Sequence, residues 1–183
     1  YLKINKMKKS IIALIALFTI SCQNEVDLSL FNANKEVAQK YLKTYESPSD
    51  FETFKSLTSE NITHQSPQYG VGEVTYDGVM AQAQFYMNGF EDVTFNDAVW
   101  LPGVDNTTLK ADGSVRVYGT WTGKSIDSGK EFSVDTYHWF EVENGKISKS
   151  GDFFDATGMV MATQADPVED AELGDPILRQ PND

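Results

Sequence analysis

The sequence predicts a single α+β domain in which helices cover one face of a curved antiparallel sheet. Three observations carry this reading. Apolar residues recur at helical spacing from Val37 to Tyr45 and again from Met80 to Phe90. From Val93 onward, apolar and polar residues alternate in long runs, the period of half-buried strands. Asn144-Gly145 lies between two such runs and reads as a two-residue hairpin, because both residues tolerate positive φ.

The elements follow in order. Val37, Ala38, Tyr41, Leu42 and Tyr45 share one face of a first helix. Ser49-Asp50-Phe51-Glu52 reads as a capping box opening a short second helix, with Phe51, Phe54 and Leu57 on its apolar side. A brief strand is expected over Asn61 to Ser66. Asp77 is the expected N-cap of a third helix running to about Asn88, with Met80, Ala83, Met87 and Phe90 inward. Gly89 suits its left-handed C-terminal position. Strands are then expected over Val93–Leu101, with a bulge near Asn96-Asp97, and over Val115–Thr122, Phe132–Glu143 and Ile147–Phe154. Asp112-Gly113 and Ser128-Gly129 mark the other turns.

The ends read differently from the middle. Met7-Lys8-Lys9-Ser10 is a short basic start, Ile11 to Ile20 is apolar, and Ser21-Cys22 follows. That order is a secretory signal over residues 1–21, with a start expected at Met7. The run would reach about 15 Å as a helix, half a hydrocarbon core, so a permanent span is not expected. A cysteine after the small residue resembles a bacterial lipoprotein signal, which implies acylation of Cys22 and a lipid-anchored protein of the cell envelope. Gln23, rather than Asp, implies the outer membrane by the same resemblance. Residues 22–34 are expected as a tether, 35–162 as the domain, and 163–183 as an acidic, disordered tail. With Cys22 used as the anchor, no thiol is left for a disulfide or a cysteine-based metal site.

Formal charge is −12, and loss of residues 1–21 removes four lysines and no acid, giving −16. Such a surface repels nucleic acid and anionic head groups, so nucleic-acid binding is excluded as a function class. The membrane is expected as a partner through the lipid anchor alone.

The middle of the chain also carries a family resemblance. The run Val117-Tyr118-Gly119-Thr120-Trp121-Thr122-Gly123 is followed by Gly129-Lys130, Tyr137-His138-Trp139-Phe140, Asn144-Gly145-Lys146-Ile147 and Phe153-Phe154-Asp155. Together with Ile62 to Pro67 and Tyr76-Asp77-Gly78, this resembles the SnoaL-like members of the nuclear transport factor 2-like superfamily. The resemblance implies a cone: a bent antiparallel sheet packed with three N-terminal helices around a deep pocket. Many such proteins pair through the outer face of the sheet, which implies a possible homodimer. The family includes polyketide cyclases, steroid isomerases, epoxide hydrolases, dehydratases and non-enzymatic ligand binders, so the fold leaves function open.

Strand parity selects candidate site residues. Ser150, Asp152 and Phe154 share a face, which by similarity to the steroid isomerases is the pocket face. Asp152 is then a general acid or base whose pKa burial would raise, or else a solvated strand-end carboxylate. His64, with Ile62 and Ser66 on its side of the first strand, is a proton shuttle or a satisfied core histidine. His138 alternates with Tyr137 and Trp139 and is expected to point out of the pocket as a structural residue. Asp155 is expected to cap the turn into Ala156-Thr157-Gly158.

The resemblance places Tyr41 and Tyr137 where the isomerases keep oxyanion-binding groups, though both also read as core aromatics. Where those enzymes keep an aspartate base before a proline, this chain has Ser66 before Pro67, which argues against steroid isomerisation. Phe54, Tyr86, Trp121, Tyr137, Trp139 and Phe154 are candidates for an aromatic pocket lining. No phosphate loop, nucleophilic serine motif or HExxH is present, and two histidines at unrelated spacing do not indicate a metal. Two functions remain: binding of a small, largely apolar molecule, or cofactor-independent cyclase, dehydratase or isomerase chemistry using Asp152, His64 and Tyr41.

Overall fold

The computed structural model describes residues 26–167. The basic start, the apolar run, Cys22 and the tail from residue 168 lie outside the described residues.

Helix α1 (Ser29–Lys43) begins inside the segment expected as a tether. Phe31 is buried there, and the Asn34 side-chain amide donates to the Gly113 carbonyl oxygen at 2.8 Å. A single aromatic and one long-range hydrogen bond thus dock a stretch whose polar composition suggested otherwise. Helix α2 (Phe51–Leu57) is capped by Asp50, not by a Ser49–Glu52 box. The Asp50 carboxylate accepts from the Thr53 N–H at 2.9 Å and the Thr53 hydroxyl at 2.6 Å. Aspartate caps as well as serine does, and the start moves by one residue.

Strands β1 (Thr58–Gln65) and β2 (Glu73–Val74) precede helix α3 (Tyr76–Gly89). Its N-cap is Thr75, and Asp77 sits instead in the first turn, where its charge complements the helix dipole. Gly89 does not take a left-handed cap. The chain passes directly into extended Phe90, the first residue of β3 (Phe90–Val104).

Strands β4 (Ala111–Ser125), β5 (Glu131–Glu143) and β6 (Lys146–Phe153) complete a six-stranded sheet of order β2-β1-β6-β5-β4-β3. Strands β3 to β6 form an antiparallel meander, but β1 pairs with β6 in parallel. The sheet is therefore mixed, not purely antiparallel. β1 precedes α3 and the meander in the chain, so it meets β6 through a long crossover that permits the same direction.

The β3–β4 register slips at three places, one of them at the expected bulge, where Asp97 has φ 54°. These slips bend the sheet. At Gly119 a Cβ would collide with the Phe95 ring, so glycine lets that ring fold across β4 onto Trp121, at a 4.6 Å centroid distance. Asn144 and Gly145 both take positive φ in the tight β5–β6 hairpin. The β3–β4 turn is not at Asp112-Gly113, which lie within β4. It forms at Asp105, whose carboxylate accepts from the N–H groups of Thr107 and Thr108.

A fourth helix, α4 (Ala156–Ala162), follows β6. Asp155 caps it, accepting from the Gly158 N–H at 2.8 Å. The core lies between α1, α2 and the concave sheet face, with Phe54, Ile62, Val115, Val117, Phe140 and Ile147 fully buried.

Candidate active site in the cone

Helices α1, α3 and α4 meet the concave face of the sheet around a cavity of ≈ 770 Å³, its open mouth included. Tyr41, Tyr45, Tyr86, Trp121, Phe132 and Phe154 contribute aromatic wall, and Leu42, Val79, Val134 and Met159 fill between them. Into this apolar space project His64 from β1, Gln82 from α3, His138 from β5, and Ser150 and Asp152 from β6.

Sheet register explains why these groups converge. His64 pairs with Ser150 across β1 and β6, and His138 pairs with Asp152 across β5 and β6. Paired residues point to the same face, so three strands deliver their polar side chains to one spot. The His138 Nδ1 lies 2.6 Å from Asp152 Oδ1, and His64 Nε2 lies 3.6 Å from Asp152 Oδ2. His64 Nδ1 is 2.9 Å from Ser150 Oγ. Gln82 Nε2 is 3.1 Å from His64 Nε2, and the Ser66 hydroxyl donates to Gln82 Oε1 at 3.0 Å. Trp121 Nε1 lies 2.9 Å from His138 Nε2, with Thr136 Oγ1 at 3.2 Å from the same nitrogen.

The electrostatics reverse the expectation for Asp152. Burial by itself pushes its carboxyl up, but His138, then His64, and the His138 hydrogen bond outweigh that and hold it below 3.8. A carboxylate on the pocket face was implied by strand parity together with the family resemblance. Two imidazoles flanking it were not, because one of them was expected on the other face. Burial raises the Tyr41, Tyr45 and Tyr86 phenols, and the negative charge of Asp152 raises each further. No lysine or arginine lines the cavity.

His64, Asp152 and Tyr41 all line the cavity, but Tyr41 stacks on Phe54 at 4.6 Å and forms no hydrogen bond with Asp152. Tyr86, Trp121 and Phe154 line the cavity wall. Phe54 does not: it is fully buried in the core behind Tyr41.

Tyr137 and Trp139 also lie elsewhere, on the outer face of the sheet. Tyr137 stacks against Tyr118 and Phe153, at 4.9 Å and 5.8 Å. Trp139 covers Gly151, where a Cβ would collide with the indole, and receives the Arg116 guanidinium at 5.9 Å. Since neighbours on a strand face opposite ways, His138 points into the cavity, against the expectation. Gln82 had a sequence signal that went unread, a polar residue three positions after Val79 and one before Ala83 on the buried face of α3.

Two imidazoles and a carboxylate are metal-ligand types, yet their geometry does not converge on one ion. Both nitrogens of His138 are engaged by neighbouring side chains, and Asp152 lies between the rings. Among the described residues no group of three or more candidate ligands is placed to hold a metal. No described helix is long and apolar enough to cross a membrane. One buried side-chain polar atom among the described residues, the Tyr86 hydroxyl, lacks a partner; Gln68 approaches it without completing a hydrogen bond.

No protein-family model matches the chain, and no curated protein sequence matches it. Solved structures do. A phenazine biosynthesis-related protein from Pseudomonas aeruginosa superposes with a TM-score of 0.59 at 18% identity, covering 88% of this chain and 99% of that one. A proposed polyketide cyclase from Xanthomonas campestris gives 0.58 at 12% identity, covering 74% and 99%. A nuclear transport factor 2-like protein from Burkholderia xenovorans gives 0.54 at 15% identity, covering 73% and 97%. Likeness at these identities speaks for the fold, and residues 26–167 have the nuclear transport factor 2-like cone fold that the sequence resemblance implied.

Proposed function

We propose that this domain binds a small, uncharged, largely apolar molecule and moves a proton on it without a cofactor, in cyclase, dehydratase or isomerase fashion. The observation that carries the reading is the Asp152 carboxylate, bonded to His138 and 3.6 Å from His64, at the floor of an aromatic cavity. A base must be ionised and within reach of the proton it takes. The lowered pKa of Asp152 meets the first condition, and its exposure to the cavity meets the second. A carboxylate whose pKa is lowered is a weaker base by itself. His64, 3.6 Å from Oδ2, is the neighbouring side chain that can relay the proton to a second atom once its Nε2 leaves the Gln82 amide. With the Asp152 carboxylate at the floor and no lysine or arginine in the lining, an anionic ligand is disfavoured.

Deuterium exchange tests this. Uncharged cyclic ketones are incubated with the protein in D₂O, and exchange at the carbon beside the carbonyl is followed by NMR. The wild type is expected to accelerate exchange, and Asp152→Asn to slow it by about 10²-fold or more. Equal exchange by both proteins, with ketone binding seen in the protein's own spectrum, would establish a binding module instead. That second reading has one observation in its favour: Ser66, at the place of the isomerase base, is committed to Gln82.

The same proposal sets the domain in the bacterial envelope, lipid-anchored through Cys22 and directed to the outer membrane. The basic start, the apolar run and Gln23 support it. Globomycin or Cys22→Ser is expected to block processing and release the protein from membranes. Normal processing of the Cys22→Ser form to a soluble product would rule out acylation.

A further inference from the structure

We propose that Trp121 is a positioning residue whose indole N–H fixes the His138 proton on Nδ1, holding Asp152 as an acceptor with Oδ2 left free for the ligand and for His64. The proposal rests on the acid/base reading of Asp152 and deepens it.

The geometry leaves little choice. An indole N–H donates and never accepts. Trp121 Nε1 is 2.9 Å from His138 Nε2, so a proton on Nε2 would put two protons into one short gap. Nε2 must offer its lone pair, and the proton of the neutral imidazole is then on Nδ1. Nδ1 lies 2.6 Å from Asp152 Oδ1, the short separation of a charge-assisted hydrogen bond. Oδ1 is committed to accepting. Thr136 Oγ1, at 3.2 Å, adds a hydroxyl near Nε2 but does not displace the indole.

Nothing else competes for the His138 proton. Around the ring, β3 presents Phe95, β4 presents Trp121, and β5 adds Phe140. The charged or titratable groups nearby are Asp152, His64 beyond it, and the phenols Tyr41, Tyr45 and Tyr86, which feel Asp152. The indole is itself held, by Phe95 at 4.6 Å and by Tyr45 at 6.2 Å. Two histidines therefore have different duties. His138 orients Asp152 through Nδ1 while the indole occupies its Nε2. His64 Nε2, 3.6 Å from Oδ2, faces the Gln82 amide at 3.1 Å and must release that donor before it exchanges a proton.

Long-range ¹H–¹⁵N correlation on histidine-labelled protein at pH 7, without any ligand, reads the tautomer directly. Wild-type His138 is expected to show a protonated Nδ1 and an unprotonated Nε2, with coupling across the hydrogen bond from the Trp121 indole proton. In Trp121→Phe the Nε2 resonance is expected to move toward its protonated position, whereas Thr136→Val leaves it in place. A protonated Nε2 in the wild type, or an unchanged pattern in Trp121→Phe, would overturn the assignment. If Trp121→Phe does not fold, the wild-type coupling decides alone. Because no substrate is involved, failure here leaves the exchange experiment intact. Failure of that experiment would likewise leave this tautomer standing.

Discussion

The two faces of strands β5 and β6 present the same kinds of residue to opposite surroundings. His138, Phe140, Ser150 and Asp152 point into the cone. Tyr137, Trp139, Gly151 and Phe153 point away from it, where Tyr118, Tyr137 and Phe153 form an exposed aromatic row. Both faces are rich in rings, so aromatic content does not distinguish a site from a surface. What distinguishes them is enclosure. On the concave face, helices remove water and each polar group must find a partner inside the protein. On the convex face, water remains and polar groups need no network.

Truncating one phenylalanine on each face should separate them most widely. Phe140 is 1% exposed and Phe153 is 54% exposed. Phe140→Ala is expected to cost about 3–5 kcal/mol. Phe153→Ala is expected to cost less than about 1 kcal/mol. Urea denaturation of both variants checks this, and equal losses would break the comparison.

A smaller and pH-dependent effect is expected at Asp152. Its folded-state pKa lies below 3.8, so the ionised form is stabilised by folding. That contribution is present above the unfolded value and is lost as pH falls through the folded one. Asp152→Asn is therefore expected to destabilise near pH 7 by about 1.5–3 kcal/mol, the range for a hydrogen bond to a charged group. The gap between wild type and variant should narrow below about pH 4. Melting both proteins from pH 3 to 8 reads it. A variant at least as stable as the wild type at pH 7 would show that desolvation dominates after all.

The smallest effect on the folded monomer is expected from Tyr137→Lys, within about 0.5 kcal/mol. This variant also sharpens the reading of the convex face. We propose that a second copy of the chain covers the aromatic row, supported by the exposed Tyr118 and Phe153 beside Tyr137. Sedimentation equilibrium is expected to show a wild-type dimer that Tyr137→Lys dissociates. A monomeric wild type would remove the partner.

Much of the fold was legible because it is written in local periods and turn chemistry. The α1 face of Ala38, Tyr41 and Leu42, the Asn144-Gly145 hairpin and the bulge at Asp97 each depend on a few neighbouring residues. Misplacements fell where local signals compete. Asp50 outbid Ser49 for a cap, Asp105 took the turn expected at Asp112-Gly113, and Phe31 recruited a polar segment into α1.

Of the site, the sequence determined one line of residues by itself: Ser150, Asp152 and Phe154 share a face because side chains alternate on any strand. It could not determine which face of β5 meets that line, since alternation fixes relative and not absolute orientation. Tertiary structure settled this through register. His138 stands opposite Asp152 and Tyr137 opposite Phe153, which put the histidine inside and the tyrosine outside. The sign of the Asp152 shift followed from the same pairing. Desolvation is a property of burial, but the opposing stabilisation needs His138 and His64 within a few ångströms, and only the pairing of three strands brings residues so far apart in the chain that close.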